Sequence, residues 1–352
     1  MLRILFLNLK ESTIKTILVT GATGHIGAAV IRELTKENFK IRALVHKHAG
    51  ELSNHNVEIF YGDILDRESL KKALTGVDGV IHLAAIISII GDPDGMVEKT
   101  NVFGVKNVAE VALECGVKRF VHACSIHAFE THLKGSVIDE NSPRVDSSSP
   151  AYDQSKNRGE MELRKVMSKG LDAIIIHPTG VIGPWDFVPS RMGNVFLDLI
   201  NKKMPALIEG GFDFVDSRDV AQVIVAALTR GRSGENYIVS GRYFTVRNLA
   251  EIAGNISGIR PPKMTTPLWL AKLIAPFAEI YVKITKTEPL FTRESLHALC
   301  ASQVISHAKA NRDFGYFPRD IRESISDIYK SFHATGLLKG RAEISNPSTD
   351  LV

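Results

Sequence analysis

Through the first half of the chain, short apolar runs alternate with stretches of helical period. The runs at 17–20, 40–45, 57–60, 79–83, 118–124 and 172–177 are nearly continuous and rich in β-branched residues, as strands buried on both faces are. Between them, 25–37, 66–75, 95–115 and 150–169 place apolar residues three and four apart, the spacing of helices that lie on a sheet. Repeated strand–helix units predict an α/β fold with a doubly wound parallel sheet and right-handed crossovers. Past Gly183-Pro184 the pattern shortens, with strands at 206–208 and 237–240 and helices at 194–203, 218–229 and 246–257. Residues 15–184 therefore read as mainly the sheet core. Residues 185–337 read as mainly a smaller C-terminal lobe, with some strands and helices returning to the core. The stretch 1–14 reads as a loose extension, and the polar stretch 338–352 as a disordered tail.

Composition changes this picture little. Of 352 residues, 44% are hydrophobic and 23% charged, which is ordinary for a globular chain large enough for one core and a lobe. A net charge of +4 is too small and too dispersed to imply nucleic acid. The three cysteines, Cys115, Cys124 and Cys300, lack metal or disulfide spacing, and the twelve histidines form no ligand motif. No metal is expected, and a reducing cytoplasm fits best. The apolar start is short and lacks a small-residue cleavage site, so it is not read as a signal peptide. The segment 267–284 is interrupted by Lys272, Pro276 and Glu279, which is too broken for a transmembrane helix. Its Trp269, Leu273, Ile274, Phe277, Ile280, Tyr281 and Ile284 share one helical stripe, expected to cap a pocket or core.

The chemistry begins where the first strand ends, at Thr20-Gly21-Ala22-Thr23-Gly24-His25-Ile26-Gly27. Gly21 permits a sharp turn out of the strand, Gly24 a close backbone approach to phosphate, and Gly27 tight helix–sheet packing. The helix that opens at His25 turns free N–H groups and a positive dipole end toward the same place. In this strand–turn–helix context the glycines predict a dinucleotide site, and the fold is a Rossmann-type sheet.

Two further features narrow the reaction. Tyr152 and Lys156, four apart, share one face near a helix start, with Ser149-Pro150 read as a cap followed by proline at the first helical position. An ammonium beside a phenol favours the phenolate, so the pair can move a proton to or from a hydroxyl or carbonyl oxygen. Ser125 ends the strand Arg119–Cys124 on the side where ligands of parallel sheets sit, and can polarise that oxygen. His127, two residues on, is compatible with either the pocket or a packed position. His82, at a strand end, reads as structural, and the run Ala85–Ile90 as pocket lining or core.

Taken together, these motifs resemble those of the extended short-chain dehydrogenases/reductases, also called the NAD-dependent epimerase/dehydratase family, over about 15–338. They stand as the glycine loop, Gly62-Asp63-Ile64, His82-Leu83-Ala84-Ala85, Asn101-Val102-Phe103-Gly104, Ser125, Tyr152-x-x-x-Lys156 and His177-Pro178-Thr179-Gly180-Val181-Ile182-Gly183-Pro184. The resemblance implies that Asp63 and Ile64 hold the adenine and that Ala84 and Ala85 line the cofactor path. It places Lys156 on the nicotinamide ribose and Pro178 and Val181 by the nicotinamide. It also implies a homodimer through 95–115 and 150–169. Ile41–Val45, Pro205–Ile208 and Phe214–Val220 resemble the branch of dihydroflavonol reductases and 3β-hydroxysteroid dehydrogenases. Glu130 stands where the flavonoid enzymes carry a substrate-binding asparagine. Ile126-His127 replaces the acidic pair of the sugar dehydratases.

An NAD-selective site carries a carboxylate at the end of the second strand. Here that end reads Val45-His46-Lys47-His48, without an acid and with two groups able to meet a 2′-phosphate. NADP(H) is favoured, with NAD(H) as the alternative. The expected activity is reduction of a ketone or aldehyde, with a lipophilic compound favoured, or the reverse oxidation, by Ser125, Tyr152 and Lys156. The alternatives are a nucleotide-sugar epimerase with retained NAD and a non-catalytic NADP(H) sensor.

Overall fold

The computed structural model describes residues 14–133, 135–285 and 292–338, and the side chains of these except 277–285. The expectations for 1–13 and 339–352, and for Phe277, Ile280, Tyr281 and Ile284 in the apolar stripe, lie outside that description. Strands are β1 Thr16–Thr20, β2 Lys40–Val45, β3 Val57–Tyr61, β4 Gly79–His82, β5 Arg119–Ala123, β6 Ala173–Pro178, β7 Gly180–Ile182, β8 Leu207–Ile208, β9 Gly211–Asp216, β10 Asn236–Val239, β11 Arg242–Thr245 and β12 Thr265–Thr266. Helices in the first half are α1 His25–Lys36, α2 Arg67–Leu74, α3 Met96–Glu98, α4 Val105–Glu114 and α5 Ala151–Met167. The rest are α6 Arg191–Ile200, α7 Ser217–Thr229, α8 Val246–Ser257, α9 Leu268–Thr285, α10 Arg293–Ala298, α11 Ala308–Phe314 and α12 Ile321–Ala334.

Seven parallel strands form the main sheet in the order β3-β2-β1-β4-β5-β6-β10. Successive side chains point to opposite faces, so each strand feeds two cores. Ile17, Val19, Ile174 and Ile176 pack with α1, α7 and α11, whereas Leu18 and Ile175 pack with α2, α4 and α5. This double burial explains why the strands read as unbroken apolar runs. The strand order reverses between β1 and β4, and the crevice at such a reversal is where ligands bind.

Chain beyond residue 184 contributes to both parts. Strand β10 completes the main sheet, and α7 and α11 cover one of its faces. A second core joins Ile182, Phe196, Phe214, Leu249, Ile325, Tyr329 and Phe332 from α6, α8, α12 and the small sheet β11-β9-β7.

In that small sheet, Asp213 is buried, with Oδ1 accepting from Thr179 Oγ1 at 2.6 Å and Gly241 N–H at 2.7 Å. Burial pushes its carboxyl from 3.8 up to about 6. The folded chain therefore holds this proton more tightly than the unfolded one. The resulting stability is full below about pH 4 and is lost as pH rises through about 6. Asp213→Asn keeps an acceptor for both donors and removes the charge. We expect it to be more stable than the parent at pH 7.5, by up to about 3 kcal/mol, with the gain shrinking toward pH 4. Urea unfolding at the two pH values checks this, and a gain that does not depend on pH would contradict it.

Candidate active site

At the β1–α1 turn, Gly21 has φ +68° and lies against β4's exit, where a Cβ would stand 2.6 Å from the Ala84 nitrogen. A Cβ on Gly27 would meet the Gly21 carbonyl oxygen at 2.3 Å. Only glycine fits either place. Gly24 caps α1 without a side-chain bond, and a Cβ there would meet only the Gly21 carbonyl oxygen. The first turn of α1 thus opens outward past exposed Thr23 and Gly24, as a pyrophosphate cradle requires. Thr20 Oγ1 bonds His82 Nδ1 at 2.7 Å and accepts from the N–H groups of Leu83 and Ala84. His82 is fully buried and neutral, depressed to about 3 by desolvation. His25 Nε2 is 3.1 Å from the Gly183 carbonyl oxygen, joining the turn to the segment after β6.

The other residues expected at a cofactor lie at or past the ends of strands. Asp63 and Ile64 follow β3, Ala84 and Ala85 follow β4, Pro178 ends β6 and half-buried Val181 lies in β7. His46 and Lys47 are exposed past β2. No acid stands among the three residues after β2, but folding brings one from just past the neighbouring strand, with Asp63 Oδ2 3.6 Å from His46 Nε2.

Ser125, Tyr152 and Lys156 come together at the carboxyl end of β5, each at most 9% exposed. The Ser125 hydroxyl hydrogen-bonds the Tyr152 phenol and also accepts from His127 N–H at 3.2 Å. Burial raises the phenol well above its ordinary value and lowers the Lys156 ammonium. Lys156 Nζ donates to the Ala123 carbonyl at 3.2 Å. The expectation that the ammonium lowers the phenol is reversed in this arrangement, because desolvation dominates. Tyr152 therefore keeps its proton. Helix α5 also starts one residue later than expected. Pro150 itself is the cap, with φ −52° and ψ 150°, and no side chain caps the helix.

Several supporting residues were not legible in sequence. Asn101 sits in a π-helical segment, Lys99–Gly104, and its amide bonds Ile86 N–H, the Ile86 carbonyl and Ser155 Oγ at 2.8–2.9 Å. It ties the loop after β4 to α5. Only its place in the Asn101–Gly104 motif marked it. Behind Ser125, the ligand atoms of Cys124, Glu160 and His177 lie within 4.8 Å of one another, all buried. Sequence spacing did not bring out this trio. Glu160 Oε1 is occupied by Arg144 and Arg164 at 2.8–2.9 Å, and His177 Nδ1 is 3.0 Å from the Ser125 carbonyl oxygen. The Cys124 thiol, pushed up to about 12, keeps its proton. The group reads as packing that braces the end of β5.

Toward solvent, Ile87 and Ile90 of the apolar run are 64% and 58% exposed, while Ser88 is buried. Thr292 Oγ1 bonds the Ile89 carbonyl at 2.6 Å, tethering this loop to α10. The described part of the expected stripe on α9 is not buried. Ala271 and Ala275 face inward, and Trp269, Leu273 and Ile274 stay 69%, 62% and 42% exposed. Small residues let the helix approach α10 closely and turn the large ones outward. Among the described residues no helix is long and apolar enough to cross a membrane.

Comparison with known proteins agrees with this fold. The profile of the NAD dependent epimerase/dehydratase family matches residues 17–240. The chain is 31% identical to sterol demethylase protein B of Methylococcus capsulatus, over 92% of this chain and 100% of that one. It is 29% identical to a putative dihydroflavonol 4-reductase of Synechocystis, over 91% and 95% of the two chains. Among solved structures, gox2253 superposes with a TM-score of 0.81 at 34% identity, over 92% of this chain and 100% of that one.

Proposed function

The chain belongs to the NAD dependent epimerase/dehydratase family, and from that premise we propose that it is an NAD(P)-dependent oxidoreductase that interconverts a ketone or aldehyde and an alcohol. The observation that carries this reading is the shared burial of Ser125, Tyr152 and Lys156 at the strand ends beside the glycine cradle. Gly21, Thr23, Gly24, His25, Ile26 and Gly27 would hold the pyrophosphate, Asp63 and Ile64 the adenine, and Ala84, Ala85, Pro178 and Val181 the path to the nicotinamide. The nicotinamide, when bound, supplies or accepts the hydride.

Ser125 donates a hydrogen bond to the substrate carbonyl oxygen and stabilises the charge that develops there. Tyr152 gives that oxygen its proton. Lys156 orients the ribose and favours the phenolate left behind. Exposed Ile87 and Ile90 at the site's edge support a lipophilic substrate. Phe103 and Met161, 49% and 52% exposed on the helical segments that the homodimer reading pairs, support self-association.

His46 and Lys47, both exposed at the end of β2, favour NADP(H). Fluorescence titration is expected to give an NADPH affinity about tenfold or more above that of NADH, since charge-assisted hydrogen bonds to a phosphate contribute at least that much. Tighter NADH would overturn the cofactor choice. The reading as a whole is tested by following NADPH consumption over steroid, polyketide, flavonoid and simple aldehyde carbonyls. A protein that binds the cofactor tightly yet reduces none of them would be a sensor. Turnover of a UDP-sugar without added cofactor would make it an epimerase.

A further inference from the structure

One polar side chain at the site is not used by this chemistry. His127 follows Ser125 in the short helical turn Ile126–Ala128 and stands beside the Tyr152 ring, with centroids 5.5 Å apart and edge to face. Its Nδ1 lies 2.9 Å from Asp153 Oδ1, and Asp153 is the residue after the tyrosine. Phe212 stacks on the imidazole at 5.7 Å and 19°. The ring is therefore held on three sides, by a carboxylate, a phenol edge and a phenyl face.

The fourth side is open. The His127 side chain is 26% exposed, whereas that of Asp153 is 11% exposed. Nε2 is not among the buried polar atoms that lack a partner, and no described residue bonds it. It is a solvent-facing nitrogen on a ring whose orientation is already set. With Nδ1 at a carboxylate, Nε2 is the ring nitrogen left to meet a ligand. Holding a partly exposed histidine in place costs side-chain entropy, and here it keeps a polar ring beside that of Tyr152.

We propose that His127, oriented by Asp153, hydrogen-bonds a second oxygen of the substrate through Nε2. The preferred substrates are then carbonyl compounds with another oxygen function two or three bonds from the reacting carbon, such as 3-oxo acids, 3-oxo esters and 1,3-diketones. This rests on the reductase reading of the same site. Ser125 and Tyr152 grip one oxygen, and the neighbouring imidazole grips the other. The wall past His127 is also polar, since His297 feels the charges of Asp153, Glu130 and Lys272 and its ring lies 3.8 Å from that of His132. A plain ketone would leave the imidazole facing apolar chain. Sites built to hydrogen-bond a substrate discriminate strongly against analogues that lack the partner.

The test uses the full chain with NADPH and two probes of one shape, methyl 3-oxooctanoate and 5-decanone, which lacks the ester. The parent is expected to prefer the oxo ester in kcat/KM by about tenfold or more. His127→Phe should bring that ratio near one, and His127→Gln, which keeps a donor and an acceptor, should restore part of it. A merely structural role would lower both probes together and leave the ratio alone. NADPH fluorescence shows that each variant is folded. An equal preference in the parent, or one that survives His127→Phe, overturns the inference and leaves the reductase reading standing. Reduction of other carbonyls with none of the 1,3-dioxygenated probes does the same. Reduction of no carbonyl at all overturns both.

Discussion

Tyr152→Phe is expected to lose roughly three orders of magnitude in kcat while NADPH affinity stays within a few-fold, because a positioned general acid contributes about 10²–10⁴-fold. The phenylalanine keeps the ring that meets His127 edge to face and removes only the hydroxyl that bonds Ser125. The buried phenol holds its proton firmly, so in the reducing direction it arrives already loaded. Lys156 Nζ is committed to the Ala123 carbonyl, and Ser125 is an alcohol too weakly acidic for the task. Steady-state turnover paired with fluorescence titration separates the two effects. Turnover within tenfold of the parent would remove Tyr152 from the reaction.

A second large effect is expected at a residue with no chemistry. Gly159→Ala should lower stability by about 3 kcal/mol or more, as overpacking of a close contact does, and reduce turnover with it. A Cβ at position 159 would stand 2.1 Å from the Asn101 carbonyl oxygen and 3.5 Å from Val105. Gly159 lies on the same face of α5 as Tyr152 and Lys156. Relieving the clash requires α5 to back away from the π-helical segment. That movement strains the Asn101–Ser155 hydrogen bond and draws Lys156 from Ala123. Urea unfolding and kcat measured together check this. A variant as stable and active as the parent would show that the helices do not meet so closely.

The same close contact shows where sequence reading ends. Gly159 gives no local signal, since it sits mid-helix with no turn to explain it, and only the partner backbone reveals its function. Gly21, Gly24 and Gly27 were legible because their role is local, with strand, turn and helix start all within a dozen residues. The strands of the main sheet were legible for a related reason, because burial on both faces leaves long apolar runs. Strands β7 and β11 were not, being short and only half-buried, and β9, though longer and mostly buried, pairs with segments far from it in the chain.

At the site, sequence alone picked out the residue types that the proposed reaction uses, namely the glycine loop, Ser125, Tyr152 and Lys156. Those types are set by chemistry and by spacing along one strand or helix. The tertiary structure decided what each group can do. Burial keeps the Tyr152 proton in place and turns Lys156 to a backbone carbonyl. Packing of α9 through Ala271 and Ala275 leaves Trp269, Leu273 and Ile274 outside. Parallel neighbours bring Asp63 to His46, and α5 brings Asp153 to His127. Such effects depend on desolvation and on distances between residues remote in sequence, which no local pattern encodes.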